Sequence, residues 1–188
     1  MSSDPAITVK ASPVKSLIQF VDSELSPGEK EAALASLPPQ YAERIRSHLL
    51  ASDVVPVDLV NRLTEAAAAA KHESVDTFAY RAGRAAAMDA TRIYRFLLIV
   101  TSPLTLLSKS ASVWKTLYNR GDLRVEEKRD GFARLRLHDF PSEPSGCART
   151  TGWIERLAEL TGAKAVRVEQ TRCHAREGGD CEWEIHWS

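Results

Sequence analysis

Cysteine, net charge and long apolar runs are all scarce in this chain of 188 residues. No cysteine precedes Cys147, and the three that exist, Cys147, Cys173 and Cys181, all lie in the last quarter of the sequence. A chain of this length buries enough surface to fold without covalent cross-links. The clustered thiols therefore need an explanation other than general stabilisation.

Charge of one sign is also lacking, since Lys plus Arg and Asp plus Glu both total 25. We find no sustained basic stripe of the kind that attracts phosphate backbones. The composition therefore predicts no nucleic-acid partner.

No apolar run is long enough to span a bilayer. The longest, between Phe96 and Leu107, is interrupted by Thr101-Ser102-Pro103 and falls short of the roughly 20 residues required. The N-terminal residues 1–5 are polar and lack the apolar region of a signal peptide. We therefore expect no membrane span and a reducing, cytoplasmic location, where stable disulfides are rare.

The hydrophobic period changes along the chain and predicts an α+β fold. Residues 1–13 are rich in Ser, Asp and Pro, and we expect them to be flexible. Helical spacing then dominates the first two thirds, where Gly83 and neighbouring alanines leave room for a close helix neighbour. Strand-type alternation follows at 123–128 and 132–138, and again after a helix at 165–173 and 181–187. We predict a single α+β domain over 14–188, with an N-terminal helical layer on a C-terminal antiparallel sheet of two hairpins and an intervening helix.

The last two cysteines bracket a turn-forming stretch, residues 174–180. We expect Cys173 and Cys181 to stand at facing ends of the second hairpin, where a metal or a disulfide could join them. An odd cysteine number in a reducing compartment favours metal ligation or inert burial over a stable disulfide, with redox chemistry as a third alternative.

A group of aromatic and apolar residues at helical spacing is a second candidate site. Such side chains with a few polar tips line small-molecule pockets, but an aromatic stripe also packs ordinary cores. Both interpretations apply to Phe78, Phe96, Leu97, Leu107, Trp114, Tyr118 and Trp153.

Motifs of the common enzyme classes are missing. There is no Gly-x-Ser-x-Gly elbow, no phosphate-binding Gly-x4-Gly-Lys loop and no His-Glu-x-x-His helix. The Gly178-Gly179-Asp180 turn is too short for a nucleotide loop. We therefore expect a protein that is not an enzyme.

The C-terminal part of the chain resembles the 4-vinyl reductase type of domain. The resemblance rests on a strand hairpin, a helix ending in Leu160-Thr161-Gly162, and Cys173 followed after seven residues by Cys181 and an aromatic strand. That domain belongs to the superfamily of ligand-binding domains of nitric-oxide signalling and Golgi transport proteins, and the whole chain is also similar to a myxobacterial protein family related to it. The resemblance divides the chain into a helical extension, 14–71, and a core, 72–188.

This resemblance implies a pocket for aromatic, acyl or tetrapyrrole ligands, often in a homodimer. In phenol-sensing relatives three cysteines and a glutamate hold a structural zinc. The three thiols here match in order, and the implied ligands are Cys147, Cys173, Cys181 and Glu169. Because Gln170 stands where the glutamate is expected, a one-residue bulge or a contribution from His174 would be needed.

Haem is a further candidate ligand, because distant relatives bind it through a helical histidine. His48 and His72 fall in or beside predicted helices among polar neighbours, and the Tyr-x-Ser-x-Arg clamp of haem nitric-oxide sensors is missing. We therefore do not expect haem.

These observations predict a binding module for a hydrophobic small molecule or a regulatory interaction domain, acting on a separate signalling partner. A structural adaptor with a vestigial pocket is the alternative, and an accessory factor in tetrapyrrole or aromatic metabolism is the third.

Overall fold

The computed structural model of the chain describes residues 6–50, 52–92 and 102–188. It confirms the predicted α+β class, with helices dominating the first two thirds and an antiparallel sheet in the last third. In chain order the elements are β1 (Thr8–Lys10), α1 (Ala11–Glu24), α2 (Pro27–Ala35), α3 (Pro39–Arg46), β2 (Val54–Pro56), α4 (Val57–Ala70), α5 (Val75–Arg92), α6 (Pro103–Leu117), β3 (Asp122–Arg129), β4 (Phe132–His138), α7 (Pro144–Leu160), β5 (Arg167–Arg172), α8 (His174–Glu177) and β6 (Cys181–His186).

Side-chain caps fix the start of two helices. The Ser26 hydroxyl accepts a hydrogen bond from the Glu29 backbone N–H, while the Glu29 carboxylate accepts one from the Ser26 N–H, so α2 begins with a capping box. At α6 the Ser102 hydroxyl accepts from the Thr105 N–H at 3.2 Å, and Pro103 occupies the first turn.

The main sheet has the strand order β3-β4-β6-β5 and is antiparallel throughout. On β4, Ala133, Leu135 and Leu137 are buried on one face, as period-two alternation requires. Phe132 faces the other way, where the Arg129 guanidinium lies 4.2 Å from its ring centroid. The two faces of β4 are therefore separated as its sequence predicts.

Two segments differ from the sequence-based prediction. Residues 8–13, expected to be flexible, form β1 and the start of α1, because Val9 is buried and β1 pairs with β2. The stretch after Cys173, expected to be a simple turn, contains the short helix α8 before Gly178 and Gly179, both at positive φ.

The buried apolar residues form two groups. The N-terminal cluster is the buried set from Val9 to Ala82 on β1, α1–α5 and β2, and the C-terminal cluster is the buried set from Leu107 to Ile185 on α6, α7 and the sheet. Val57 and Tyr118 pack against both clusters. No helix among the described residues is long and apolar enough to cross a bilayer.

Close contact between α5 and α7 connects these layers. A Cβ atom added to Gly83 would lie 2.0 Å from the carbonyl oxygen of Arg149, and one added to Gly152 would lie 2.1 Å from that of Tyr80. The two helices can approach this closely only because both positions lack a side chain. This pair of helices positions the cavity described below.

Candidate functional site

Three buried thiols meet beside the sheet. The Cys147 sulfur lies 3.4 Å from that of Cys181 and 3.9 Å from that of Cys173, and all three sulfurs lie within 4.8 Å of one another. A tetrahedral ion bound at about 2.3 Å from each sulfur would hold them roughly 3.8 Å apart. The cluster is therefore compatible in size with one metal ion or with packed free thiols.

Each cysteine comes from a different element. Cys147 lies in the first turn of α7, Cys173 lies directly before α8, and Cys181 begins β6. A bulge at Thr171, where the β5–β6 register shifts, returns Cys173 to the inner face of the sheet. The predicted approach of Cys173 and Cys181 therefore occurs through a bulge and a helical turn.

Hydrogen bonds make the three thiols unequal. The Cys147 and Cys181 sulfurs share a hydrogen bond, and the Cys181 sulfur also accepts one from the His174 backbone N–H at 3.2 Å; these bonds lower the pKa of Cys181 to about 6. The same contact with Cys181, together with burial, raises the pKa of Cys147. Of these two sulfurs, Cys181 therefore has the greater thiolate character.

Glu169, the implied fourth ligand, does not join the thiols. Its side chain is 63% exposed and its carboxylate lies 3.5 Å from Arg167, because strand alternation directs it to the outer face of β5. A bulge does occur in this region, but it follows Gln170 and so does not turn Glu169 inward. The side chain of Gln170, not that of Glu169, is a neighbour of Cys147. His174 instead places its Nδ1 atom 2.6 Å from the carbonyl oxygen of Gly179.

A cavity of about 400 Å³ lies between the helical layers, within the size range of small-molecule sites. Apolar side chains from α1, α4, α5, α6 and α7 form most of its wall. Its polar residues include Tyr118, Arg149 and Asp89. The full lining consists of Val9, Ser12, Pro13, Ser16, Leu17, Val57, Val60, Ala82, Gly83, Ala86, Asp89, Val113, Trp114, Leu117, Tyr118, Arg149, Thr150 and Trp153.

The structure brings together part of the predicted pocket set. Trp114, Tyr118 and Trp153 line the cavity. Phe78 lies one turn before the lining residue Ala82 and packs edge-on against Phe20 in the N-terminal cluster. Neither Phe78 nor Leu107 lines the cavity, and Leu107 is buried in the C-terminal cluster. Phe96 and Leu97 lie outside the described residues.

The two charged residues of the cavity, Arg149 and Asp89, were not predicted from the sequence. Arg149 stands four residues before Trp153 on α7, and this spacing places both on one helix face. Asp89 follows Ala82 and Ala86 at similar helical spacing on α5. A search for charged residues in register with the aromatic stripe would have found both.

The fold is that of the ligand-binding domains called H-NOX. An oxygen-binding H-NOX domain related to soluble guanylate cyclases, solved as its oxygen complex, is 11% identical, with a TM-score of 0.72 and 95% of each chain covered. An Fe(II) unliganded H-NOX mutant from K. algicida is 12% identical, with a TM-score of 0.71 and coverage of 95% of this chain and 96% of that one. A structure from a study of haem distortion in the H-NOX family is 12% identical, with a TM-score of 0.73 and 95% of each chain covered.

No family model and no curated protein matches the chain. At 11–12% identity the likeness to H-NOX structures establishes the fold alone. It fits the nitric-oxide signalling side of the predicted superfamily and does not single out a 4-vinyl reductase type of domain.

The haem named for the last of these neighbours counts against our expectation of no haem. None of the histidines of the chain lines the cavity: they are His48, His72, His138, His174 and His186. The described lining therefore does not fit a haem ligated by histidine.

Proposed function

We propose that this protein is a non-enzymatic binding module that senses or carries a hydrophobic small molecule in the cavity between α1, α5, α6 and α7. The observation that carries the proposal is a cavity of about 400 Å³ with a mainly apolar wall and three aromatic rings. It occurs in a fold shared with an oxygen-binding sensor-type domain, but with a lining that does not fit histidine-ligated haem. An organic ligand fits these features better.

Native mass spectrometry of freshly purified protein tests this proposal. We expect a copurifying small molecule on the wild-type chain and its loss in Ala86→Phe, because a phenyl ring at a lining position fills the cavity. Ala85→Phe is the matched control, since Ala85 is the adjacent α5 residue and is not part of the lining. A wild-type protein that carries no small molecule and is stabilised by Ala86→Phe would support the adaptor alternative instead.

We further propose that the cysteine cluster holds a structural zinc through Cys147, Cys173 and Cys181. The sulfur separations and the thiolate character of Cys181 support a metal ligand set. Gln170, as a neighbour of Cys147, or a water molecule would complete the coordination in place of Glu169. The zinc would join the start of α7 to the β5–β6 hairpin.

The output of such a module would pass to another protein. The nitric-oxide signalling fold supports a regulatory role, and we propose that the signal leaves through a homodimer or a separate signalling partner in the cytoplasm. The division into a helical extension, 14–71, and a core, 72–188, remains a proposal to be tested at the level of the whole molecule.

A further inference from the structure

Arg149 places a positive charge in the wall of a mainly apolar cavity. Its guanidinium atom Nη1 is buried and has no hydrogen-bond partner among the described residues. From this we infer that the cavity binds an amphipathic organic acid, an apolar body with one carboxylate, and that Arg149 pairs with that carboxylate. The inference rests on the proposed small-molecule function and names the chemical class of the ligand.

No acidic side chain among residues 6–50, 52–92 and 102–188 forms an ion pair with Arg149. Two acidic residues contribute to the cavities around it, Asp89 to the larger one and Glu143 to a smaller one, and neither forms an ion pair with Arg149. The segment 90–101 contains no Asp or Glu, and Asp4 is the one acid in the sequence outside the described residues. Since a charged group with a buried, unpartnered N–H is costly, an anionic ligand that accepts from Nη1 would stabilise this site.

Further polar groups surround the same end of the cavity. Arg149 and Tyr118 also line the smaller cavity, of about 20 Å³, together with Asn61, whose Oδ1 atom is buried and without a described partner. That space suits about one water molecule. A water between Asn61 and Arg149 would supply a hydrogen bond to the guanidinium, but it would not neutralise the charge.

The geometry favours a carboxylate over larger anions. The Tyr118 hydroxyl is a hydrogen-bond neighbour of Arg149, and both residues line the cavity, so an anion placed beside them would meet one guanidinium and one hydroxyl donor. Two donors of this kind match the two oxygens of a planar carboxylate, whereas a phosphate dianion calls for more positive charge. Trp114 stacks on Tyr118 with ring centroids 4.2 Å apart, and it begins the apolar wall beside this polar end.

Isothermal titration calorimetry with matched probes tests the inference. We would use phenylacetate, phenylbutyrate and phenylhexanoate, each beside its primary amide, which has nearly the same shape and no charge. The carboxylate that fits best should bind wild-type protein roughly tenfold to a hundredfold more tightly than its amide, because a hydrogen bond to a charged group adds that much. Arg149→Gln should abolish this preference and retain amide binding, whereas Arg149→Lys should keep part of it.

The outcomes separate the inference from the proposed function. Equal affinity for acid and amide in the wild type, or an unchanged preference in Arg149→Gln, would overturn the role of Arg149 and leave the cavity as a neutral binding site. If neither series binds to ligand-free protein, both the organic-acid inference and the proposed cavity function are wrong. Thermal unfolding of each variant establishes that it is folded before binding is compared.

Discussion

Arg84 forms a partly buried ionic network between α5 and α7. Its guanidinium contacts Glu155 at 2.6 Å and Glu159 at 2.8 Å, and Arg156 approaches Glu159 at 2.8 Å. Burial acts to raise the pKa of Glu159, but the hydrogen bonds from Arg84 and Arg156 outweigh it and lower the pKa below its ordinary 4.5. The folded state therefore favours the ionised carboxylate of Glu159.

Replacing this carboxylate should change stability in a pH-dependent way. We expect Glu159→Gln to lower the free energy of unfolding by about 1 kcal/mol at neutral pH. Because the folded pKa is depressed, this contribution is complete above pH 4.5 and is lost as the pH falls through the folded value. Denaturant titrations across acidic pH measure it, and Glu169→Gln on the exposed face of β5 should show almost no loss. A loss that persists at the lowest pH would rule out the ionic explanation.

Metal content tests the thiol cluster at the scale of single residues. Protein purified under reducing, chelator-free conditions should contain about one zinc per chain, and Cys173→Ser should lose most of it because two thiolates hold zinc poorly. Glu169→Gln should retain the metal, since this side chain lies away from the sulfurs. Wild-type protein without zinc by plasma mass spectrometry would leave the cysteines as packed or redox-active thiols.

The cysteine cluster also shows how far single residues can be predicted from sequence. The spacing of Cys173 and Cys181 predicted their approach because hairpin ends meet in space. The position of Glu169 could not be predicted, since a bulge at Thr171 shifts which side chains face inward. Bulges arise from pairing with the neighbouring strand, and local sequence does not record that pairing.

At the scale of elements, the contact between α5 and α7 makes a sharp prediction. Gly83→Ala and Gly152→Ala should each destabilise the fold by roughly 1–3 kcal/mol or more, because the new methyl group would collide with backbone rather than with a movable side chain. Gly146→Ala is the control on α7, where an added Cβ meets nothing within 4 Å, and it should be neutral or stabilising by about 0.5–1 kcal/mol. If all three substitutions changed the free energy of unfolding equally, the close contact between α5 and α7 would place no special restriction on residues 83 and 152.

The sequence predicted which segments are helices and strands better than it predicted which residues line the cavity. The alternation in β4 and the stripe of Trp114 and Leu117 on α6 are local patterns, and the structure confirms both elements. The walls of the cavity come mainly from five helices, and local sequence patterns do not show where those helices leave space between them. Phe78 and Leu107, predicted to line the pocket, are therefore found in the two buried clusters. Arg149 was not predicted as a lining residue, because a charged residue on a helix usually faces solvent.

At the scale of the whole molecule, α5 determines whether the proposed extension and core are separable. Phe78 and Ala82 belong to the N-terminal cluster, while Gly83 and Arg84 of the same helix contact α7. The proposed core, 72–188, therefore includes a helix whose buried face packs against residues of the proposed extension, 14–71. Cavity walls likewise come from both sides of this boundary, with Leu17 from one side and Trp153 from the other.

We therefore expect the chain to unfold in one cooperative transition. All four tryptophans, Trp114, Trp153, Trp183 and Trp187, lie after residue 113, so selectively excited tryptophan fluorescence reports on the C-terminal cluster. Helices α1–α4 contain no tryptophan, and far-ultraviolet circular dichroism follows them instead. If α5 couples the two clusters, denaturation curves from the two signals should coincide and yield one midpoint. A circular-dichroism transition that precedes the fluorescence transition would mean that 72–188 remains folded when the helical extension has melted. In that case the cavity would lose its α1 and α4 walls first, and ligand binding should stabilise the earlier transition alone.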